Sequence, residues 1–324
     1  MRKVYFAVLL ILAGVLLSAC KKTEICETGF YEQDIVRPMV DGIGVNGRIE
    51  PFSSGLCVIT TEDIYDPGLL DLPVAMLLSE DTGEVLYSKG ALQKIWPASM
   101  TKCMTALLVI EHFQDLDTLI TAGDEVYEGI PENSSLAGLE PGMTLSVRDL
   151  LTGLILPSGN DAANVLAKAV SGSIPEFVSL MNHRAEELGM INTHFANPNG
   201  IHDEKHYTTA YDLYLLMRAL MQYEAFTAPA GASEGYMTAI LPDGTEKTIS
   251  YKSTNSYARG FTVPPEGIKY LYSKTGYTEQ AGRCIIGVFS DRGGNRYIAV
   301  SARADNYDKL YLQTNAMLTI IGQQ

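Results

Sequence analysis

The chain has 324 residues, of which 46% are hydrophobic and 19% are charged, and its formal net charge is −14. This length and composition predict a globular protein of one large or two smaller domains with an ample core. The acidic balance argues against nucleic acid as a partner and against electrostatic binding to anionic lipid.

The N-terminus has the features of an export signal. Two basic residues precede an apolar segment, residues 4–17, that is too short for a comfortable transmembrane helix. It ends in Leu17-Ser18-Ala19-Cys20, which resembles a bacterial lipobox, in which the cysteine receives diacylglycerol. We therefore expect a signal peptide over residues 1–19, lipidation of Cys20, and a protein held at the outer face of the bacterial cytoplasmic membrane. The alternative is an ordinary secretory signal cleaved near Ala19, which would also export the chain.

Residues 20–71 are rich in glycine, proline and polar residues, and we expect a lipid-anchored tether followed by an N-terminal extension. Cys26 and Cys57 flank this glycine- and proline-rich region and could pair in an oxidising compartment. Cys103 and Cys284 lie in apolar runs typical of buried thiols, although the sequence leaves a bridge between them open. Because no C-x-x-C spacing occurs, structural zinc is not expected.

A catalytic domain is predicted from residue 72 to the C-terminus. It begins with two strand-like segments, residues 73–78 and 84–87. Pro97 then suits the start of a helix, which places Ser99 and Lys102 one turn apart on the same face. A hydroxyl beside an amine can act as a nucleophile if the amine is neutral enough to accept its proton. An isolated serine-x-x-lysine is weak evidence, because an ordinary helix start also fits it.

Lys102 can act as a base near neutral pH only if its pKa is lowered. A free lysine has a pKa of about 10.4, so a base near neutrality needs a decrease of roughly 3 units, or about 4 kcal/mol. The positive end of a helix supplies only about 0.3–1 kcal/mol. The remainder must come from burial and from a second cation brought close by the fold. Lys274 is the candidate for that cation.

The middle of the chain, about residues 114–230, is predicted to be a helical insert. One helix follows Ser146, which is a plausible N-cap, and stops at Pro157. Another helix opens at Asp161, so Ser158 and Asn160 are expected on a short, rigid loop between two helices. Ser253-Thr254-Asn255 has the same serine-x-asparagine pattern, but no helices frame it and we discount it.

Two more helices are expected at residues 174–188 and 209–223. Between them His202 and His206 have the i, i+4 spacing of metal ligands. Turns flank the pair and no apolar helical run contains it, so we expect no metal site there.

The last part of the chain alternates strands and turns. A hairpin is expected over residues 237–251, and strands over residues 268–273, 284–289 and 297–301, with a final amphipathic helix at residues 310–321. The first of these strands leads to Lys274-Thr275-Gly276, which offers a cation, a hydroxyl and a position without a side chain. That set suits an extended substrate ending in a carboxylate. Strands at both ends with helices between them predict an α+β fold with one sheet completed by both ends of the chain.

Three motifs together carry a resemblance that none carries alone. Ser99-x-x-Lys102, Ser158-x-Asn160 and Lys274-Thr275-Gly276 occur in the order, spacing and local contexts of the penicillin-recognising serine enzymes. The surrounding sequence, from about residue 72 onward, most resembles the D-alanyl-D-alanine carboxypeptidases, the low-molecular-mass penicillin-binding proteins. The resemblance implies a beta-lactamase/DD-peptidase-like fold, in which helices cover an antiparallel sheet and an all-helical subdomain is inserted.

The resemblance also implies roles for individual residues. Ser99 would be the nucleophile, Lys102 its general base, and Ser158 a proton relay toward the leaving amine. Asn160 would orient the substrate carbonyl and the Lys102 amine. The remaining residues would bind substrate: Lys274 and Thr275 the terminal carboxylate, Gly276 a closely approaching backbone, and the N–H groups of Ser99 and Tyr277 the oxyanion.

The expected partners are peptidoglycan stem peptides that end in D-Ala-D-Ala, with beta-lactams as covalent inhibitors and no cofactor. A DD-endopeptidase and a beta-lactamase are alternatives within the same chemistry. Class A beta-lactamases need a glutamate-activated water, for which Glu140 and Glu176 are the nearest candidates, but neither has the expected local sequence. An alternative from another class is a non-catalytic lipoprotein that senses muropeptide or beta-lactam.

Overall fold

The computed structural model describes residues 63–64 and 68–323. The expected signal peptide, the lipidated Cys20 and the Cys26–Cys57 pair lie outside the described residues. Within the described ranges, no helix has the length and apolar character needed to cross a membrane.

A five-stranded antiparallel sheet forms the centre of the domain, with the strand order β2-β1-β9-β8-β7. Its strands are β1 (Val74–Ser79), β2 (Val85–Lys89), β7 (Lys269–Thr278), β8 (Gly282–Ser290) and β9 (Arg296–Ala304). Strand β1 pairs with β9, with Met76 opposite Val300, so the two ends of the domain meet in one sheet. The prediction of a sheet completed by both ends of the chain is confirmed.

Both faces of this sheet are covered, which explains why β1 is a continuous apolar run. Val74, Met76 and Leu78 lie in one hydrophobic cluster, and Ala75 and Leu77 lie in the other. Successive side chains of a strand point to opposite faces, so a strand buried on both faces has no polar positions. All six residues of β1 are buried, and five of them are apolar; the polar exception, Ser79, is the last residue of the strand.

Seven α-helices surround the sheet in the described part of the chain. They are α1 (Lys102–His112), α2 (Val147–Ile155), α3 (Asn160–Ser171), α4 (Ile174–Glu187), α5 (Ala210–Leu220), α6 (Glu224–Gly231) and α7 (Tyr307–Leu318). The last helix covers one face, where Leu310 and Met317 join the smaller cluster. The other helices contribute to the larger cluster, which includes Met104 of α1 and Leu213 of α5. Ser146 caps α2 as expected, since its Oγ accepts a hydrogen bond from the Asp149 N–H.

The insert differs from the prediction in one respect, because it is not all-helical. Two short strands, β3 (Leu119–Thr121) and β4 (Thr144–Ser146), lie within it. They join the hairpin of β5 (Glu234–Ile240) and β6 (Glu246–Lys252) in a second sheet of order β3-β4-β5-β6. Strands of three residues carry too little alternation to be recognised in the sequence. Strand β3 pairs with β4, and β4 pairs with β5, which begins at Glu234.

The described cysteines are thiols. Cys103 and Cys284 are both buried and unbridged, as their apolar surroundings indicated. N-terminal to β1, Leu70 and Leu72 are buried in the smaller cluster, and Ile64 pairs with Ser88 of β2. The contacts of the domain therefore extend a few residues before residue 72.

Candidate active site

Ser99 lies on a tight turn directly before helix α1. Residues Ala98–Thr101 form a short 3₁₀ helix, and α1 begins only at Lys102. Ala98 has φ = 47°, a conformation that non-glycine residues rarely adopt. The sequence predicted a regular helix from Pro97; the tighter turn sets Ser99 at the exposed start of α1, half-buried.

Lys102 is fully buried and three acceptors surround its amine. Nζ lies 3.1 Å from Ser99 Oγ, 2.7 Å from Asn160 Oδ1 and 2.6 Å from the Asn199 carbonyl oxygen. Asn160 Oδ1 and the Asn199 carbonyl oxygen can only accept hydrogen bonds, whereas the Ser99 hydroxyl can also donate one. A neutral amine has two N–H bonds and one lone pair. If Asn160 and Asn199 take the N–H bonds, the lone pair faces the proton of Ser99.

Burial and a neighbouring cation favour this neutral form. Removal from water lowers the pKa of Lys102 well below its usual value, and the positive charge of Lys274 lowers it further. The carboxylate of Asp161 acts in the opposite direction. The prediction that a second cation approaches Lys102, and that Lys274 supplies it, is confirmed. Burial also lowers the pKa of Lys274 to about 8.

Ser158 and Asn160 lie at the junction of α2 and α3, where the sequence predicted a short loop between two helices. Asn160 is the first residue of α3 rather than part of the loop, and Ser158 has φ = 62°. The glycine between them is required, because a Cβ on Gly159 would lie 2.7 Å from the Gly153 carbonyl oxygen. The Ser158 hydroxyl accepts a hydrogen bond from Lys274 Nζ at 2.9 Å. Ser158 thus contacts Lys274, and Asn160, two residues later, contacts Lys102.

Asp161 anchors the loop of residues 137–139, which lies close to the start of α3. Its carboxylate accepts hydrogen bonds from the backbone N–H groups of Ala137, Gly138 and Leu139, at 2.7 to 3.0 Å. Sequence reasoning assigned Asp161 only to the start of a helix. Its role could have been suspected because this carboxylate directly follows a proposed catalytic asparagine and has no basic residue beside it in the sequence.

Strand β7 forms the opposite wall. Lys274 and Thr275 are buried, although they lie at the edge of the main sheet. The Thr275 hydroxyl is 3.2 Å from that of Thr254. The serine-x-asparagine pattern around Thr254 was discounted because nothing frames it locally. In the fold its backbone N–H donates to the Leu156 carbonyl, which brings it to the site.

Gly276 brings β7 against the serine turn. A Cβ at this position would lie 2.9 Å from the Pro97 carbonyl oxygen and 3.1 Å from the Ser99 nitrogen, so a larger residue would separate the strand from Ser99. The next residue, Tyr277, is 45% exposed, and the guanidinium of Arg283 lies 3.2 Å from the centre of its ring. Gly276 thus allows β7 to pack against the turn that contains Ser99, and the predicted approach of a substrate backbone to this position stays a prediction.

The turn that contains Asn199 and Gly200 also packs on Ser99. Asn199 provides the carbonyl that binds Lys102, and its side-chain amide donates to Asn164 Oδ1 at 3.1 Å. Gly200 has φ = +90°, and a Cβ there would overlap the Ala98 carbonyl oxygen. Backbone atoms leave no residue-type signal, which is why this contribution could not be read from the sequence.

His202 and His206 do not converge on one point. His206 is buried and hydrogen-bonded to Thr101 Oγ1 at 2.7 Å, and burial lowers its pKa to about 3. His202 lies edge-on to Trp96, with 5.3 Å between the ring centres. No group of metal-ligating side chains is found among residues 63–64 and 68–323.

The glutamates considered for a beta-lactamase water lie elsewhere. Glu140 is exposed and 3.4 Å from Lys247 Nζ, and Glu176 is an exposed residue in the first turn of α4. Neither is hydrogen-bonded to the residues around Ser99.

Taken together, the site holds a serine beside a buried amine whose pKa is lowered, a second hydroxyl hydrogen-bonded to a lysine, and a strand that ends near both. A hydroxyl nucleophile with an adjacent base favours acyl transfer through a covalent intermediate. A buried cation and two threonine hydroxyls suit a substrate carboxylate.

Comparisons with known proteins agree with this chemistry. Residues 70–306 match the family model described as D-alanyl-D-alanine carboxypeptidase. The chain is 37% identical over 254 residues to the D-alanyl-D-alanine carboxypeptidase DacF of Bacillus subtilis, covering 77% of this chain and 62% of that protein. It is 33% identical to the D-alanyl-D-alanine carboxypeptidase DacD of Salmonella typhimurium, covering 72% of this chain and 58% of that protein. The chain thus spans about three fifths of the length of these curated relatives.

The fold is similar to that of the Streptomyces K15 DD-transpeptidase crystal structure. The TM-score is 0.73 at 27% identity, and the match covers 81% of this chain and all of that one. This similarity confirms the prediction of an α+β, DD-peptidase-like fold.

Proposed function

The chain belongs to the D-alanyl-D-alanine carboxypeptidase family, and from this premise we propose that it removes the terminal D-alanine of peptidoglycan stem peptides through an acyl-enzyme on Ser99. The observation that carries the proposal is the set of three acceptors around the Lys102 amine. That arrangement leaves a neutral lysine one lone pair, directed at the proposed nucleophile.

Acylation begins when Ser99 Oγ attacks the carbonyl carbon of the penultimate D-alanine and its proton passes to Lys102 Nζ. The backbone N–H groups of Ser99 and Tyr277 are the proposed donors to the oxyanion, where one such donor typically contributes about 10²–10³ in rate. As the peptide bond breaks, a proton returns to the leaving amine through the Ser158 hydroxyl. Water then attacks the ester with Lys102 again as base, and releases the shortened peptide.

The terminal carboxylate of the substrate is proposed to bind beside Lys274, Thr275 and Thr254. Lys274 supplies the positive charge, and the two hydroxyls face each other at 3.2 Å across the edge of β7. The leaving D-alanine of a stem peptide carries a free carboxylate, which these groups would bind. This wall therefore supports carboxypeptidase activity.

The direct test is release of D-alanine from a diacetyl-Lys-D-Ala-D-Ala peptide by the protein from residue 23 onward, with Ser99→Ala alongside. We expect multiple turnovers that are lost in the variant, while the circular dichroism spectrum and melting temperature of the variant stay close to those of the parent. Absence of release from this peptide together with release from cross-linked muropeptides would instead identify an endopeptidase.

Beta-lactams are proposed to acylate Ser99 as substrate mimics. The positions of Glu140 and Glu176, away from Ser99, support slow rather than fast hydrolysis of that acyl-enzyme. Labelling with a fluorescent penicillin should persist for many minutes in the parent and be absent in Ser99→Ala. A non-catalytic sensor would also be labelled, but it would release no D-alanine.

The location of the protein is proposed from the sequence of its N-terminus. A lipobox cysteine at Cys20 would anchor the exported protein at the outer face of the cytoplasmic membrane. Cys20→Ser should move the protein from the membrane fraction to the soluble fraction of cells. An unchanged membrane fraction would eliminate the lipid anchor.

A further inference from the structure

Three non-glycine residues in the described part of the chain have positive φ angles. They are Ala98 (47°), Ser158 (62°) and Arg303 (64°). Residues held in this sparsely populated conformation tend to cluster at functional sites. Ala98 and Ser158 belong to the site described above. Arg303 has no part in the chemistry assigned to that site.

A local irregularity of the main sheet fixes the conformation of Arg303. The pairing of β8 with β9 shifts register between Arg283 and Ile285, next to Arg303. The facing Gly282 has φ = +67°, and a Cβ there would lie 2.9 Å from the Ala304 carbonyl oxygen. Such irregularities commonly redirect a side chain. The Arg303 side chain is exposed, and no carboxylate in the described ranges forms an ion pair with it.

Two adjoining cavities share Arg303. One has a volume of about 430 Å³ and is also lined by Tyr277, which belongs to the strand wall of the active site. The other has a volume of about 210 Å³ and is lined by Lys94, Ile95, Trp96, Glu204, Tyr207 and Arg303. Trp96, three residues before Ser99 in the sequence, lines the smaller cavity, and Tyr277 lines the larger one. We call the pair the Arg303 cleft.

The smaller cavity combines apolar walls with charges of both signs. Trp96 and Tyr207 provide aromatic surface, and Lys94 Nζ lies 3.9 Å from the centre of the Tyr207 ring. Glu204 is at the mouth with 84% of its side chain exposed. A cavity of about 210 Å³ has room for several waters and therefore for an extended side chain.

This composition matches one kind of group. An alkyl stem fits between the aromatic residues, a carboxylate at its tip fits Arg303 and Lys94, and an ammonium fits Glu204. A purely apolar group would offer no opposite charge to Lys94, Arg303 or Glu204 of the smaller cavity, and a single ammonium would face the two cations there.

We propose that the Arg303 cleft binds the side chain of the residue preceding the D-alanyl-D-alanine end, and that it selects a diamino dicarboxylic residue whose tip carries both an ammonium and a carboxylate. The inference rests on the proposed function, because that function sets the direction of the substrate. With the terminal carboxylate beside Lys274 and the scissile carbonyl at Ser99, an extended peptide advances about 3.3 Å per residue along β7. The residue preceding the two D-alanines therefore passes Tyr277, where the cleft opens.

Two peptides that differ only at the tip of this side chain test the proposal. One has a meso-diaminopimelate residue before D-Ala-D-Ala; in the other the tip ammonium is acetylated and the tip carboxylate is amidated. For the unsubstituted protein we expect kcat/KM to be on the order of tenfold higher, or more, with the ionised peptide. Arg303→Gln and, independently, Glu204→Gln should bring this ratio close to one.

Matched variants remove nearby charges outside the cleft. Arg292→Gln and Lys205→Gln should keep the ratio of the unsubstituted protein, because neither residue lines either cavity. Equal hydrolysis of both peptides by the unsubstituted protein would overturn the subsite while leaving the carboxypeptidase function intact. A ratio that survives in both Arg303→Gln and Glu204→Gln would also overturn it. Failure to hydrolyse either peptide would instead overturn the proposed function, and the subsite with it.

Discussion

The side-chain amine of Lys102 lies 2.6 Å from the main-chain carbonyl oxygen of Asn199. The turn that contains Asn199 also packs directly on the peptide before Ser99, through Gly200. One turn thus positions both the proposed base and the proposed nucleophile. Its contribution depends on backbone geometry, so it should be sensitive to a single methyl group.

Gly200→Ala tests this dependence. The new Cβ would overlap the Ala98 carbonyl oxygen and lie 2.9 Å from the Ser99 nitrogen, at φ = +90°. We expect penicillin acylation to slow by at least tenfold, because a displacement of about 1 Å at a reacting group can cost on the order of 10² in rate. The rate of acylation is measured by stopped-flow fluorescence with a labelled penicillin.

Gly244→Ala is the matched control for Gly200→Ala. Gly244 has φ = +83°, but a Cβ there would meet no atom within 4 Å. Both variants should lose about 1–2 kcal/mol of stability from the left-handed backbone alone. Only Gly200→Ala should also lose acylation. Equal acylation rates in the two variants would show that the Gly200 contact does not position Ser99.

The pH dependence of kcat/KM should be bell-shaped. Lys102 is active when neutral, so activity appears as the pH rises through its lowered pKa. Lys274 binds the substrate carboxylate when charged, so activity is lost as the pH rises through its pKa of about 8. Lys274→Arg should keep the charge at all accessible pH values and move the alkaline limb upward, although the altered geometry lowers the maximum.

Lys269→Arg is the control for the alkaline limb, because Lys269 is an exposed residue of the same strand. Its pH profile should match that of the unsubstituted protein. An alkaline limb that stays near pH 8 in Lys274→Arg would assign that limb to a group other than Lys274.

Asp161→Asn should separate a structural role from an electrostatic one. An amide in place of the carboxylate sets an N–H against the backbone donors of residues 137–139, which costs about 1–3 kcal/mol of unfolding free energy. It also removes the charge that raises the pKa of Lys102. The acidic limb of the activity profile should therefore move to lower pH, even though the protein is less stable.

Urea unfolding and the pH profile of kcat/KM measure the two effects of Asp161→Asn. Asp308→Asn is the control, because Asp308 is an exposed carboxylate in the first turn of α7. It removes a helix N-terminal charge without affecting the loop over the active site. An acidic limb that is unchanged or moves upward in Asp161→Asn would contradict the electrostatic role.

The sequence predicted the parts of the site that depend on side-chain type and short spacing. Ser99 and Lys102 are one turn apart, and the pKa that a lysine base requires pointed to Lys274 before the fold was known. Asn199 was missed because it acts through a carbonyl oxygen, which every residue has. Thr254 was discounted because its neighbour in space, Leu156, lies almost a hundred residues away in sequence.

The fold, too, was predictable where it depends on local sequence and not where it depends on distant contacts. Continuous or alternating apolar runs identified the strands of the main sheet, because burial on one or both faces determines their composition. The three-residue strands β3 and β4 pair with each other, and β4 also pairs with the distant β5, so nothing local indicates them. The strained backbone of Arg303 could not be predicted from the sequence either, because its positive φ arises from the pairing between β8 and β9.

His206 provides a prediction on stability rather than activity. Its Nδ1 accepts from the Ala196 N–H, so the proton is on Nε2, which donates to the Thr101 hydroxyl. Burial lowers the pKa of His206 to about 3, against an ordinary value of 6.5. Between these pH values the unfolded chain binds a proton that the folded protein does not. Unfolding therefore becomes easier as the pH falls from 6.5, by at most about 1.4 kcal/mol per pH unit from this residue.

His206→Gln should remove this contribution. Glutamine can keep one hydrogen bond but does not titrate, so the variant should be less stable near pH 7 and should lose stability more slowly between pH 6.5 and pH 4.5. Urea unfolding at several pH values measures the slope, and His183→Gln, at a histidine side chain that is 69% exposed, is the control. The lost hydrogen bond lowers the stability of the variant at every pH, whereas only the unsubstituted protein loses stability through His206 as the pH falls, so the two stability curves should converge. Parallel curves would mean that His206 is protonated in the folded protein, and its hydrogen bond from the Ala196 N–H could then not exist.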